Sequence, residues 1–196
     1  MYQKFTTPAL VLSVYRSRES AVVNVLLTRD YGVVSATAEG IRCLNSKLRS
    51  GLTQFAYSDI TLVRGRGGWR IVTAEPRSHF YNDLRDNPAA RKVVARVALL
   101  CRRLMDESAD GQALFHTVLT GFRMLAHSGQ SQLPAIERLT VLRLLFVLGY
   151  LENRPVWREF LESESWDESL VSRMSMPELI DQATYDINRS LSESGL

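Results

Sequence analysis

From Pro8 to Pro76 apolar positions alternate over short runs, and Val, Ile, Thr, Phe, Tyr and Trp stand where strand formers belong. The pattern predicts strands near residues 8–15, 20–29, 32–39, 53–63 and 68–75. Asp30-Tyr31-Gly32 and Gly65-Arg66-Gly67-Gly68 supply the positive-φ positions that tight connections between antiparallel strands need. Five short strands suggest a small barrel. In the fourth, apolar residues fall at Phe55 and Tyr57 and then at Ile60 and Leu62, a change of phase that a β-bulge would absorb.

Beyond Pro76 the period becomes that of helices. Asn87-Pro88 reads as an N-cap followed by proline at the first helical position, and Val93, Val97, Leu100 and Leu104 recur at spacings of three and four. A second stripe runs through Leu114, Val118, Phe122 and Leu125 towards Ser128-Gly129. Ala135 to Tyr150 is apolar on nearly all sides apart from Glu137, Arg138 and Arg143, as expected of the central helix of a bundle. Ser165-x-x-Glu168 and Ser175-x-x-Glu178 fit the capping box and predict two further helix starts. The expected fold is thus β then α, a five-stranded barrel over residues 1–78 followed by an all-α helical bundle over 79–196, with no internal repeat or long linker.

With 45% apolar residues, a chain of 196 can bury a core without disulfides. Cys43 and Cys101 form no C-x-x-C motif, so reduced thiols in a cytoplasmic protein are expected. The apolar runs Ala9–Val14 and Leu144–Leu148 are too short for a signal segment or a membrane span. The charge of +3 is unevenly divided: up to Ser78 there are 11 Lys/Arg against 5 Asp/Glu, and beyond it 13 against 16. A basic first part points to a polyanionic partner.

No catalytic constellation is visible, and a non-enzymatic protein is expected. His79, His116 and His127 are scattered without metal-ligand spacing, so no metal or other cofactor is predicted. The Gly65–Gly68 run is not a phosphate loop, because Trp69-Arg70-Ile71-Val72 continues as a strand instead of opening a helix. The basic residues, by contrast, gather at connections. Arg16 and Arg18 lie between strands one and two, Arg42, Lys47 and Arg49 after strand three, and Arg64, Arg66 and Arg70 around the last hairpin. In an OB-fold the first and last of these connections flank the ligand face. Single strands are held by such a positive groove together with aromatic faces, which Tyr15, Tyr57 and Trp69 could offer. The competing assignment puts Phe55 and Trp69 in the core and the arginines on a solvated face.

Leu26-Leu27-Thr28-Arg29-Asp30-Tyr31-Gly32, Ala38-Glu39-Gly40-Ile41-Arg42, Ser46-Lys47-Leu48-Arg49-Ser50-Gly51-Leu52 with Phe55, and Thr73-Ala74-Glu75 together resemble the N-terminal domain of the RecO family. Leu142-Arg143-Leu144-Leu145 with Leu148-Gly149-Tyr150 is similar to a helix of the same family. The resemblance implies an OB-fold and a helical bundle that bind single- and double-stranded DNA, anneal complementary strands, engage the acidic C-terminal tail of SSB, and work with RecR to load the RecA recombinase in recombinational DNA repair, in the cytoplasm at the nucleoid. It places Arg42, Lys47 and Arg49 on the DNA-facing segment, and Arg138 and Arg143 as candidates for receiving the acidic tail. Glu39 stands where the family usually has lysine, Thr140 and Val141 replace an aromatic-acidic pair, and the family's zinc-binding cysteine cluster is absent. The alternative function is a non-catalytic adaptor whose basic barrel and helical bundle dock acidic protein tails.

Overall fold

The computed structural model describes residues 3–16, 21–41, 46–104, 111–163 and 166–194. Five strands come first: β1 (Lys4–Arg16), β2 (Ala21–Thr28), β3 (Gly32–Glu39), β4 (Ala56–Gly65) and β5 (Gly68–His79). β1 pairs antiparallel with β2 and β4, β2 with β3, and β4 with β5. A parallel ladder of two residue pairs, Ala36 with Trp69 and Thr37 with Arg70, joins β3 to β5. The order β1-β2-β3-β5-β4 thereby closes on itself as a barrel. Ala9, Val11, Leu26, Ala36, Ile60 and Leu62 fill it.

The strands at either end of the set run longer than expected. β1 begins at Lys4 because Lys4 to Thr7 pair with Val63 to Ile60, and the Thr6 and Thr61 hydroxyls meet at 3.0 Å. β5 passes through Pro76 beside a register shift at which Arg77 is the extra residue, a position where a missing N–H costs no ladder bond. The bulge expected in β4 is carried by its partner: Val72 and Arg77 of β5 are the unpaired residues, and β1 has another at Leu12. The phase change in β4 has a different cause. Ala56, Ile60 and Leu62 point into the barrel, while Tyr57 is buried by Phe115, with ring centroids 5.9 Å apart.

Between β3 and β4 the chain makes a 3-10 turn, Ser50–Leu52, pressed against β5. A Cβ on Gly51 would lie 2.6 Å from the Ala74 carbonyl oxygen, so only glycine fits. The Ser58 hydroxyl donates to the Gly51 carbonyl at 2.7 Å, and the Phe55 N–H donates to the Val11 carbonyl at 2.8 Å.

Among the described residues seven α-helices follow: α1 (Phe80–Asp83), α2 (Pro88–Leu104), α3 (Gly111–His127), α4 (Leu133–Val147), α5 (Arg158–Glu162), α6 (Glu168–Met174) and α7 (Pro177–Glu193). Two compact units emerge, Met1–Arg85 with Asp106–Phe115, and Asp86–Met105 with His116–Leu196, so the division is not a single cut after Ser78. In the second unit α4 is central and packs against α2, α5, α6 and α7. Asn87 caps α2 as expected, its Oδ1 accepting from the Ala90 N–H at 3.0 Å. Thr140 of α4 fits against Gly121 of α3, where a Cβ would come within 2.6 Å of the Thr140 hydroxyl, so this position suits a small residue. Asp186 of α7 is buried and accepts from the Trp157 indole N–H at 2.8 Å and from the Arg154 guanidinium.

Neither predicted capping box forms as expected. α6 starts at Glu168 under an Asp167 cap, whose carboxylate accepts from the Leu170 N–H at 2.8 Å; Ser165 lies outside the described residues. Ser175 turns its hydroxyl back to the Val171 carbonyl at 2.8 Å, and α7 begins after Met176 without a side-chain cap. Asp167, directly before the helix, takes the cap of α6, and a serine that ends one helix is already committed.

Cys101 is fully buried in α2, and desolvation pushes its thiol up to about 12. It therefore carries no reactive thiolate at neutral pH. In native protein the Cys101 peptide is expected to stay unmodified by iodoacetamide, by mass spectrometry, and to label fully only in denaturant. Rapid native labelling would contradict this packing.

Candidate nucleic-acid interface

The β4–β5 hairpin carries Arg64, Arg66 and Trp69 on a turn that Gly68 makes possible with φ of 101°. The half-buried Trp69 ring meets Phe5 edge-on at 5.4 Å and Tyr31 at 5.8 Å, and Phe5 meets Tyr31 edge-on at 5.7 Å. The Arg64 guanidinium lies 5.5 Å from the Trp69 ring centroid. Phe5 and Trp69 also pack against the barrel core, whereas Tyr31 is 39% exposed. The group thus has one side in the core and one edge at the surface. Edge-to-face contacts hold such rings rigid, and a preordered ring can stack on a base at little entropic cost. Lys4 is exposed and pairs in register with Val63, next to Arg64. Lys4, Arg64 and Arg66 make no ion pair among the described residues.

Other basic residues of the barrel are already engaged. Arg70 pairs with Glu39 at 2.9 Å on the surface, so the carboxylate at 39 balances the charge of its neighbour. The Arg29 side-chain hydrogen bond holds the Asp30 carboxyl below its usual range. Arg77 donates to Asp59 at 2.6 Å and to the Tyr57 hydroxyl at 2.9 Å, with its guanidinium 5.4 Å from the Tyr57 ring centroid. Tyr57 is therefore not a stacking face. It is 7% exposed, enclosed by Phe115 and Arg77, and is corrected to a structural residue.

Lys47 and Arg49 are exposed on the segment before β4. Arg49 shares a cleft with His79, which ends β5, whereas Arg64 and Arg66 flank the start of that strand. The twelve residues of β5 separate these ends by up to roughly 35 Å, so the barrel presents two basic regions rather than one. Arg16 is the last residue of β1; Arg18 and Arg42 lie outside the described residues.

In the helical unit, Arg143 is 8% exposed. It donates through Nε to the Phe160 carbonyl, and its guanidinium sits 4.6 Å from the Trp166 ring centroid. Its Nη2 has no hydrogen-bond partner, and burial lowers its pKa to about 10, leaving it cationic at neutral pH. Enclosure of this kind corrects the expectation of Arg143 as a surface receptor for an acidic tail. Arg138 is half-buried, bonded to Glu137 and Thr184, and lines a cleft of about 140 Å³ with Val141 and Ile187. Among the described residues no group of three or more His, Cys, Asp or Glu could hold a metal, and no helix is long and apolar enough to cross a membrane.

Sequence reasoning missed Phe5 and Tyr31. The signal for Tyr31 was present in the Asp30-Tyr31-Gly32 turn, but it was legible only as turn chemistry. Phe5 lies before the first predicted strand, and its meeting with Trp69 depends on β1 and β5 pairing with either edge of β4.

The first unit is thus a small closed barrel with an exposed basic hairpin and a surface aromatic group beside it. Residues 1–80 match the family model described as recombination protein O N terminal. Similar curated proteins, each named DNA repair protein RecO, come from Alkaliphilus metalliredigens (27% identical, covering 73% of this chain and 57% of the relative), Heliobacterium modesticaldum (32%, 74% and 52%) and Gloeobacter violaceus (31%, 67% and 50%). These matches place the similarity to RecO proteins in residues 1–80 and, through the longer relatives, across up to 74% of the chain. The chain spans between 50% and 57% of the length of these relatives.

Proposed function

We propose that this chain is a non-catalytic recombination mediator in DNA repair, whose barrel works as an OB-fold that holds single- and double-stranded DNA by phosphate neutralisation and base stacking and brings complementary strands together for annealing. The observation that carries the reading is the hairpin arrangement: Arg64 over Trp69, with Phe5 and Tyr31 bracing the ring and Lys4 and Arg66 exposed beside it. Lys47 and Arg49 form a second contact region, and Arg16, Arg18 and Arg42 belong to the same proposal on sequence grounds. The family name of the curated relatives supports the repair context. Assistance to RecA loading, cooperation with RecR and docking of the SSB tail belong to the same proposal, as does a place in the cytoplasm at the nucleoid. The cleft at Arg138 sets a cation beside the apolar Val141 and Ile187, but Glu137 lines it too and pairs with Arg138 at 3.3 Å, so an acidic, hydrophobic tail would have to displace that carboxylate.

The test is fluorescence anisotropy of a labelled strand of roughly 30 nucleotides, long enough for more than one site of OB-fold size, across a salt series. For the full chain, log affinity is expected to fall with log salt by roughly 0.7 for each phosphate contacted, whatever the base sequence. A variant with Lys47, Arg49, Arg64 and Arg66 all changed to alanine is expected to bind more weakly and with a shallower slope. Absence of binding at low salt overturns the mediator reading. Capture of an acidic tail peptide without any DNA affinity would then establish the adaptor alternative.

A further inference from the structure

At the end of the barrel away from the hairpin, the 46–53 segment and the end of β5 enclose a cleft of about 490 Å³, within the range of small-ligand sites. Ser46, Ser50 and Thr53 line one side with hydroxyls, and Arg49 adds a guanidinium. His79, Tyr81 and Asn82 form the other side, and all seven residues belong to the first unit. The Thr53 hydroxyl and His79 Nδ1, 3.3 Å apart, tie the two sides together. Among the described residues that line it there is no carboxylate. It is a donor-rich set with one fixed positive charge, and a phosphate monoester, with three acceptor oxygens and nearly two negative charges, matches it better than an internal diester. The volume exceeds that of a bare phosphate, and Tyr81, 50% exposed, offers a flat face on which a base can rest.

We propose that this cleft receives the terminal nucleotide of a DNA strand, with Arg49, His79 and the hydroxyls holding its phosphate monoester and Tyr81 stacking on its base. The proposal rests on the reading that the barrel binds DNA, and it adds recognition of strand ends to it. Neither Tyr81 nor the polar residues around it are needed for contact with the hairpin.

The experiment compares binding of internally labelled strands of one sequence bearing a 5′-phosphate, a 3′-phosphate or only hydroxyl ends, to the full chain and to a variant carrying His79→Gln, Tyr81→Ala and Asn82→Ala. A phosphorylated end is expected to bind about tenfold more tightly than a hydroxyl end, the effect of one charge-assisted contact. The variant is expected to lose this preference while keeping the affinity and salt slope of the hydroxyl-ended strand, which also reports that the barrel is folded. Equal binding of all three strands to the wild-type chain overturns the strand-end proposal and leaves DNA binding standing, whereas failure of every strand to bind overturns the DNA reading beneath it. Deoxynucleoside monophosphate is expected to abolish the preference at concentrations where inorganic phosphate does not. Equal competition by the two would mean a free-anion site and overturn the assignment to strand ends.

Discussion

Asp186→Ala is expected to destabilise the helical unit by about 3 kcal/mol, as when one partner of a buried charged pair is removed. The carboxylate is 3% exposed and holds two groups, the Trp157 indole N–H at 2.8 Å and the Arg154 guanidinium. Truncation leaves the indole N–H buried without an acceptor, at a cost of about 1–3 kcal/mol. It also removes the anchor between α7 and the segment before α5. The Arg154 side chain is 42% exposed and can turn to water, which keeps the total near the lower end of the buried-pair range. Asp186→Asn keeps an acceptor for the indole and is expected to lose roughly half as much. Urea unfolding of the two variants checks the order, and equal stability of Asp186→Ala and wild type would exclude this role for the carboxylate.

Gly51→Ala should cost about 3 kcal/mol, at the upper end for overpacking, because the added Cβ meets atoms of β5 that cannot swing aside. It would lie 2.6 Å from the Ala74 carbonyl oxygen, 2.7 Å from the carbonyl carbon and 2.8 Å from its Cβ. Either the barrel loses stability or the 3-10 turn lifts away, taking Arg49 and Lys47 with it. The variant is therefore expected to show both a lower unfolding midpoint and weaker DNA binding. Gly67→Ala is the control, since nothing lies within 4 Å of that Cβ. If the two substitutions unfold at the same denaturant concentration, the close approach of Gly51 to β5 is wrong.

Local pattern sufficed for the strands and the first long helix. Strand formers punctuated by turn residues located all five strands, and Asn87 in front of Pro88 marked the start of α2. What could not be read locally was anything decided by a distant residue. Alternation shows which positions of β4 face away from the barrel, but burial of Tyr57 comes from Phe115, far along the chain. Likewise Glu39 and Arg70 stand 31 positions apart and meet only because β3 and β5 pair, so the surface ion pair between them shows in no local pattern. Arg143 looked like the polar edge of α4 in the sequence, yet Phe160 and Trp166 enclose it. The basic segments were legible as a set, while their separation to opposite ends of β5 depends on the run of that strand past Pro76.

The short parallel ladder between β3 and β5 sets an order of assembly. Every other strand pairing of the barrel has at least seven residue pairs, and all but one joins strands close in sequence, whereas closure rests on Ala36 with Trp69 and Thr37 with Arg70. Bringing those partners together means fixing the intervening chain before any bond is gained, which makes it a late event in folding. The same seam would be the first to part when the barrel breathes, and whichever of the Trp69 and Arg70 amides faces β3 would exchange with solvent ahead of those in the β1–β2 ladder.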